Sequence, residues 1–202
     1  MKKLNTPLTE ETVSNLRIGE EVFLNGIIYT ARDQAHQKIV DELQRAKSPA
    51  SGGINSEQRA NLPFEVKGAV IYYCGPTPAK LGQVIGSAGP TTSSRMDPYT
   101  PLLLEYGLRG TIGKGKRSKE VVKAMKKYKA VYFVVVGGAG AFLSKRIKKA
   151  EIVAYPELGP EAVYRLEVKD FPVIVANDIY GNDLFLEARK KYVRHPAWTR
   201  DA

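Results

Sequence analysis

The sequence reads as a single α/β domain on three grounds. Helical and strand patterns alternate as far as residue 150, and strand patterns dominate after it. Residues 131–136, Val-Tyr-Phe-Val-Val-Val, form a continuous apolar run of the kind buried on both faces of a sheet. The length of 202 residues suits one well-cored domain spanning 1–202.

The elements follow in order. Residues 1–15, polar and threonine-rich, read as an N-terminal arm. Residues 22–30 read as a strand on Phe23, Ile27 and Tyr29, and residues 31–45 as a helix with Ala35, Ile39 and Leu43 on one face. Arg32 and Asp33 fall at that strand-helix junction, and His36 shares a helix face with Arg32 at i, i+4 spacing. Residues 47–61, with Ser-Pro-Ala-Ser-Gly-Gly near their start, read as a flexible insertion without chemistry. A strand at 66–74 ends on Cys74. Asp97 and Pro98 read as N-cap and first residue of a helix reaching Gly107. A short strand at 109–112, the loop Gly113-Lys-Gly-Lys-Arg-Ser118 and a helix at 119–128 come next. After the apolar strand lie Gly137-Gly-Ala-Gly140 and a short basic helix at 141–149. Strands are predicted at 151–154, 162–168 and 173–176, followed by a turn at 180–183 and a C-terminal tail at 186–202 that carries His195 on the surface.

Composition narrows the function. Hydrophobic content of 43% and charged content of 26% are those of a soluble protein, and no apolar run is long enough to cross a bilayer. Two lysines follow Met1 without an apolar segment behind them, so a cytoplasmic protein is expected. Cys74, the single cysteine, can make no internal disulfide and cannot by itself hold zinc or an iron-sulfur cluster. It reads as a small buried hydrophobe. The excess of 31 Lys and Arg over 21 Asp and Glu, a formal charge of +10, favours anionic partners.

The chemistry concentrates in Gly86-Ser-Ala-Gly-Pro-Thr-Thr-Ser-Ser-Arg95. Small residues let the backbone approach a ligand, the hydroxyls of Thr91 to Ser94 hydrogen-bond it, and Arg95 can clamp a carboxylate through two N–H groups. Gly110-Thr-Ile-Gly-Lys-Gly-Lys116 has the spacing of a phosphate-binding loop, but Arg117 stands where a Ser or Thr would ligate magnesium. Gly138 and Gly140 resemble part of a dinucleotide fingerprint whose third small position is Leu143. The charge and the glycine-lysine loop also admit a stand-alone phosphate- or nucleic-acid-binding module, which predicts salt-dependent binding to RNA or DNA.

Six stretches appear in one order: Tyr29-Thr-Ala-Arg-Asp-Gln-Ala-His36, Ile71-Tyr-Tyr-Cys-Gly-Pro76, Gly89-Pro-Thr-Thr-Ser-Ser-Arg-Met-Asp97, Gly113-Lys-Gly-Lys-Arg-Ser118, Tyr155-Pro-Glu-Leu-Gly159 and Asp170-Phe-Pro172. The series, over residues 16–185, resembles the β subunit of the iron-sulfur hydro-lyases, the two-subunit class I fumarate hydratases and tartrate dehydratases. The resemblance implies a single three-layer β/β/α domain of the swivelling type. It implies an α subunit carrying a 4Fe-4S cluster whose unique iron acts as a Lewis acid on the substrate, with none of the cluster ligands in this chain. It implies a small dicarboxylate substrate, fumarate before tartrate, an (αβ)2 hetero-oligomer, and neither nucleic acid nor membrane as partner. Carried over by motif, Arg32, Arg95 and Lys114 would bind substrate carboxylate and Thr91 would transfer the proton, with Asp33 and His36 supporting Arg32.

Overall fold

The computed structural model describes residues 2–47 and 62–192. Beyond Lys47, the insertion expected at 47–61 lies outside the described residues, as do His195 and the tail from residue 193.

The N-terminal residues do more than form an arm. Residues 2–5 make strand β1 (Lys2–Asn5), parallel to β2 (Glu21–Thr30), because Leu4 is buried in the core while its neighbours stay exposed. Between them lies α1 (Glu10–Ser14), started by Thr9, whose hydroxyl accepts the Thr12 N–H at 3.1 Å.

The rest of the sheet adds β3 (Val70–Tyr72), β4 (Gly110–Gly113), β5 (Val131–Val134), β6 (Ile147–Ala154) and β7 (Val163–Asn177). The strand order is β1-β2-β3-β4-β5-β7-β6, and β2 pairs with β7 as well. Strands β2, β3, β4, β5 and β7 therefore close a circuit. Strands β2 to β5 run parallel to one another, and β7 runs antiparallel to both β2 and β5. The two strands expected at 162–168 and 173–176 are one. Lys169-Asp-Phe-Pro172 carries signals of a break, but Asp170 takes a positive φ of 49° and its N–H donates to Asn25 Oδ1, beside an irregularity in β2 at Leu24/Gly26. The break becomes a bend, and Pro172 still pairs with Phe23.

Two helix expectations are corrected. The basic helix at 141–149 ends early: α5 (Gly140–Ser144) gives way to β6, because Ile147 is buried in the core and the following residues pair with β7. The helix expected from Asp97 is a 3-10 turn, Ser93–Met96, followed by α3 (Thr100–Glu105), whose N-cap is Tyr99 without a side-chain cap. The Asp97 carboxylate is engaged elsewhere, as described below.

The core forms on both faces of the parallel strands. Val70, Tyr72 and Cys74 join one cluster with Val131, Phe133, Phe171 and Val175, while Ile71, Tyr73 and Tyr132 join the other. Helices cover the second: Ala35, Ile39 and Leu43 of α2 (Asp33–Lys47), Leu103 and Leu104 of α3, and Val121 and Met125 of α4 (Lys119–Tyr128). This double burial accounts for the apolar run at 131–136, although β5 stops at Val134 and Val136 is exposed. Among the described residues no helix is long and apolar enough to cross a membrane. The last, α6 (Leu184–Tyr192), takes in the start of the expected tail.

Candidate active site

Four parallel strands finish nearly level, with Thr30, Tyr72, Ile112 and Phe133 side by side in register. The chain leaving their carboxyl ends forms one rim, the end at which parallel α/β sheets, open or closed, carry their ligand-binding loops. Arg32 and Asp33 follow β2, Gly75 follows β3 and Lys114 follows β4.

The small-residue turn is threaded into this rim by isolated bridges, Pro90 to Cys74 and Thr92 to Lys114. Thr91 N–H donates to Tyr73 O at 2.6 Å, and Thr91 O accepts from Lys114 N–H at 3.1 Å. Ser93 N–H returns a bond to Lys114 O at 2.9 Å. Residues 90–93 thus lie between the ends of β3 and β4, and backbone pairing fixes Thr91 beside Lys114. Close packing here requires glycine at 113, since a Cβ there would stand 2.0 Å from Ser93 Oγ. Thr91 is half-buried, and Lys114 is exposed with no ion-pair partner among the described residues.

The two arginines are held differently. Arg95 makes a two-pronged contact with Asp33, Nε to Oδ1 at 3.0 Å and Nη2 to Oδ2 at 2.6 Å, across 62 residues. Arg32 lies more deeply, with Nη2 at 3.6 Å from Glu161 Oε1 and a buried Nε that has no hydrogen-bond partner. His36 is fully buried one turn along α2. Its Nδ1 lies 2.9 Å from Arg32 O and its ring packs on Tyr73 and Tyr99.

Burial, helped by the Arg117 charge, lowers the His36 pKa to about 4 against the opposing effects of its bond to Arg32 O and of the Asp33 charge, so the ring is neutral at neutral pH. The unfolded chain binds this proton near pH 6.5 and the folded chain near 4, so the unfolded state holds more protons between them. Folding stability should therefore be full above about pH 6.5 and fall as pH drops towards 4. Denaturant titrations across that window should show the loss in the wild type and a shallower slope in His36→Gln.

A buried hub joins the two loops from behind. Arg117, whose side chain is wholly inaccessible, donates to Tyr73 Oη at 2.9 Å and Thr100 Oγ1 at 2.6 Å, and its Nε meets Asp97 Oδ1 at 2.8 Å. Asp97 Oδ2 accepts the Ser118 N–H at 2.7 Å. Tyr132 Oη donates to Gly115 O at 2.9 Å and shares a hydrogen bond with Ser93 Oγ at 2.7 Å. Residues 93–100 and 115–118 are tied together through these contacts. The residue that breaks the phosphate-loop pattern is thus part of a folded clamp.

Residues 2–188 match the family model described as Fumarase C-terminus. The chain belongs to this family. The protein named "Putative L(+)-tartrate dehydratase subunit beta" of Methanocaldococcus jannaschii is 38% identical over 190 residues, covering 91% of each chain. Fumarate hydratase 2 of Leishmania major is 39% identical over 177 residues, 87% of this chain and 29% of its own length. The anaerobic class I fumarate hydratase of Escherichia coli is 37% identical over 194 residues, 93% of this chain and 33% of its own length. The chain spans most of the first relative but about a third or less of the two fumarate hydratases.

Within this fumarase C-terminal chain, the geometry brings Arg32, Asp33, His36, Thr91, Arg95 and Lys114 to one rim. Sequence reasoning missed Glu161, Arg117 and Tyr132. Arg117 had a signal, since a basic residue in place of a metal-binding hydroxyl needs an anionic partner, but Tyr132 is hidden inside an apolar run. Glu161 stands just past the Tyr155-Pro-Glu-Leu-Gly159 motif. The apolar cleft of about 460 Å³ beside Phe23, Val136 and Phe142 contains none of the rim residues.

Proposed function

We propose that this chain is the β subunit of an iron-sulfur-dependent hydro-lyase, joined to an α subunit in a cytoplasmic hetero-oligomer, that adds water reversibly to a C4 dicarboxylate. Hydration of fumarate to malate is the first reading and dehydration of tartrate the second. The observation that carries it lies at the carboxyl ends of β2 to β4, where Arg95 pairs with Asp33, the neighbour of Arg32 in the chain, and Thr91 is bonded through its backbone to Lys114. A family match over 2–188 and a tartrate dehydratase subunit relative of equal extent support the activity. The two apolar clusters on opposite faces of the sheet support a single three-layer β/β/α domain of the swivelling type.

The residues of this chain do not fit the cluster. A 4Fe-4S centre is held by several thiolates. This chain has only Cys74, buried, with its thiol pushed up to about 12 by burial, and the described residues include no group of three or more His, Cys, Asp or Glu that could hold a metal. The cluster therefore belongs to the α subunit in this reading.

The chain's own residues bind and move a proton. Arg32, together with Arg95 through the N–H groups its contact with Asp33 leaves over, holds the oxygens of one substrate carboxylate, and Lys114 adds a third positive contact. In the hydration direction Thr91 Oγ1–H gives its proton to the carbon next to the one that gains oxygen, and in dehydration the Thr91 alkoxide takes that proton back. A threonine hydroxyl is a weak acid and its alkoxide needs stabilisation, which the adjacent Lys114 and the guanidinium pair supply. Lysine in place of either arginine keeps the charge and loses the planar fork. Arg95→Lys and Arg32→Lys, each in the assembled complex, should cost about 2 kcal/mol or more in kcat/KM. Near-normal kinetics for both variants would remove the arginines from the site.

A further inference from the structure

Arg32 immediately precedes the first residue of α2, a position normally given to a side chain that can accept the free N–H groups of the first turn. A guanidinium carries donors only and cannot do this. The acceptor comes from 127 residues away: Gln34 N–H donates to Glu161 Oε2 at 3.0 Å. The other oxygen of the same carboxylate, Oε1, stands 3.6 Å from Arg32 Nη2. One carboxylate therefore both caps the helix and faces the guanidinium.

The surroundings leave Arg32 little freedom. A Cβ at position 75 would lie 2.6 Å from Arg32 Nη1 and 3.0 Å from Pro160 O, so the guanidinium is fitted between Gly75 and the turn that carries Glu161. That turn is fastened to α2 a second time by Lys38 and Glu157 at 2.7 Å. Within this setting Arg32 Nε is buried and unpartnered, a donor left open.

We propose that Glu161 is a positioning residue of the active site, which caps α2 with one oxygen and with the other orients the Arg32 guanidinium to receive a substrate carboxylate. The proposal rests on the functional reading above, in which Arg32 grips substrate. Charge and geometry make opposite forecasts. A carboxylate near the site repels a dianion, so if charge alone mattered, neutralising Glu161 would tighten binding. If Glu161 orients Arg32, neutralising it weakens binding.

Glu161→Gln keeps an oxygen for Gln34 N–H and removes the charge that faces Arg32. In the αβ complex it should raise KM about tenfold or more and leave kcat within about threefold, whereas a purely structural defect would lower the active fraction, and hence kcat, at constant KM. On an Arg32→Lys background the same change should add little, because the two residues act through one contact. A second measurement is independent of turnover: the 15N-resolved Nε–H signal of Arg32 in the full chain should report an ordered side chain in the wild type and lose that order in Glu161→Gln. An unchanged or lowered KM, additive effects in the double variant, or an unaltered Arg32 signal would overturn the proposal. A wild-type complex without hydro-lyase activity would instead refute the functional reading, and the Arg32 signal would still decide whether Glu161 holds it.

Discussion

Thr91→Ala in the assembled complex should lower kcat at least about 100-fold, the scale of general acid-base catalysis, while KM changes much less. Backbone pairing underlies this separation. Thr91 is held by its own N–H and C=O, bonded to Tyr73 O and Lys114 N, and alanine can make both bonds. Removing the hydroxyl therefore removes the proposed proton carrier and leaves the backbone pairing of the turn in place. Thr91→Ser should recover part of the rate, because it keeps the oxygen on the same backbone. If the hydroxyl only shaped the turn, alanine would raise KM with kcat intact, and an alanine variant with undiminished kcat when chemistry limits turnover would exclude Thr91 from the proton transfer.

Arg117→Met should destabilise the fold by about 3–5 kcal/mol, the range for breaking a buried ion pair by removing one partner. The size follows from what is left behind. Asp97 has a side chain only 12% exposed and would keep one bond, from Ser118 N–H, while Tyr73 Oη and Thr100 Oγ1 would each lose a charged donor. Lysine is a poor substitute, because its single ammonium cannot reach all three partners in the plane that the guanidinium occupies. Urea unfolding of the wild type and Arg117→Met should give a lower midpoint with an unchanged slope. An Arg117→Met/Asp97→Asn double variant should lose less than the sum of the two single changes. A loss below about 1 kcal/mol in Arg117→Met would show that the hub adds little to the stability of the rim.

The parts of the site that were legible in the sequence are those whose signals are local. The turn at 86–95 is marked by its own small residues and hydroxyls, and the Arg32 junction by charge placed where a strand pattern changes to a helical one. The parts that were not legible depend on distant partners. Asp97 before Pro98 carries a helix-start signal, yet Arg117, brought close by the fold, takes the carboxylate and leaves Tyr99 to begin α3. Lys169 to Pro172 reads as a gap between strands, and only the partner strand β2, with Asn25 accepting the turned N–H of Asp170, makes it continuous. The early lysines and threonines gave no strand signal, because β1 exists through pairing with β2 rather than through its own propensity. Glu161 had no visible relation to Arg32, since only the packing of its turn on α2 joins them.

In the proposed function this chain contributes the carboxylate clamp and the proton-transfer group, and an α subunit the cluster. Anaerobic co-expression with the α subunit, followed by assay with fumarate, malate and tartrate, tests it most directly. The chain on its own should be colourless and inactive, and the complex should be coloured and interconvert fumarate and malate, or dehydrate tartrate, with Thr91→Ala and Arg95→Lys each impairing the assembled enzyme. A stable cluster with full turnover in this chain alone, or an assembled, cluster-loaded complex without activity on any of these dicarboxylates, would contradict it.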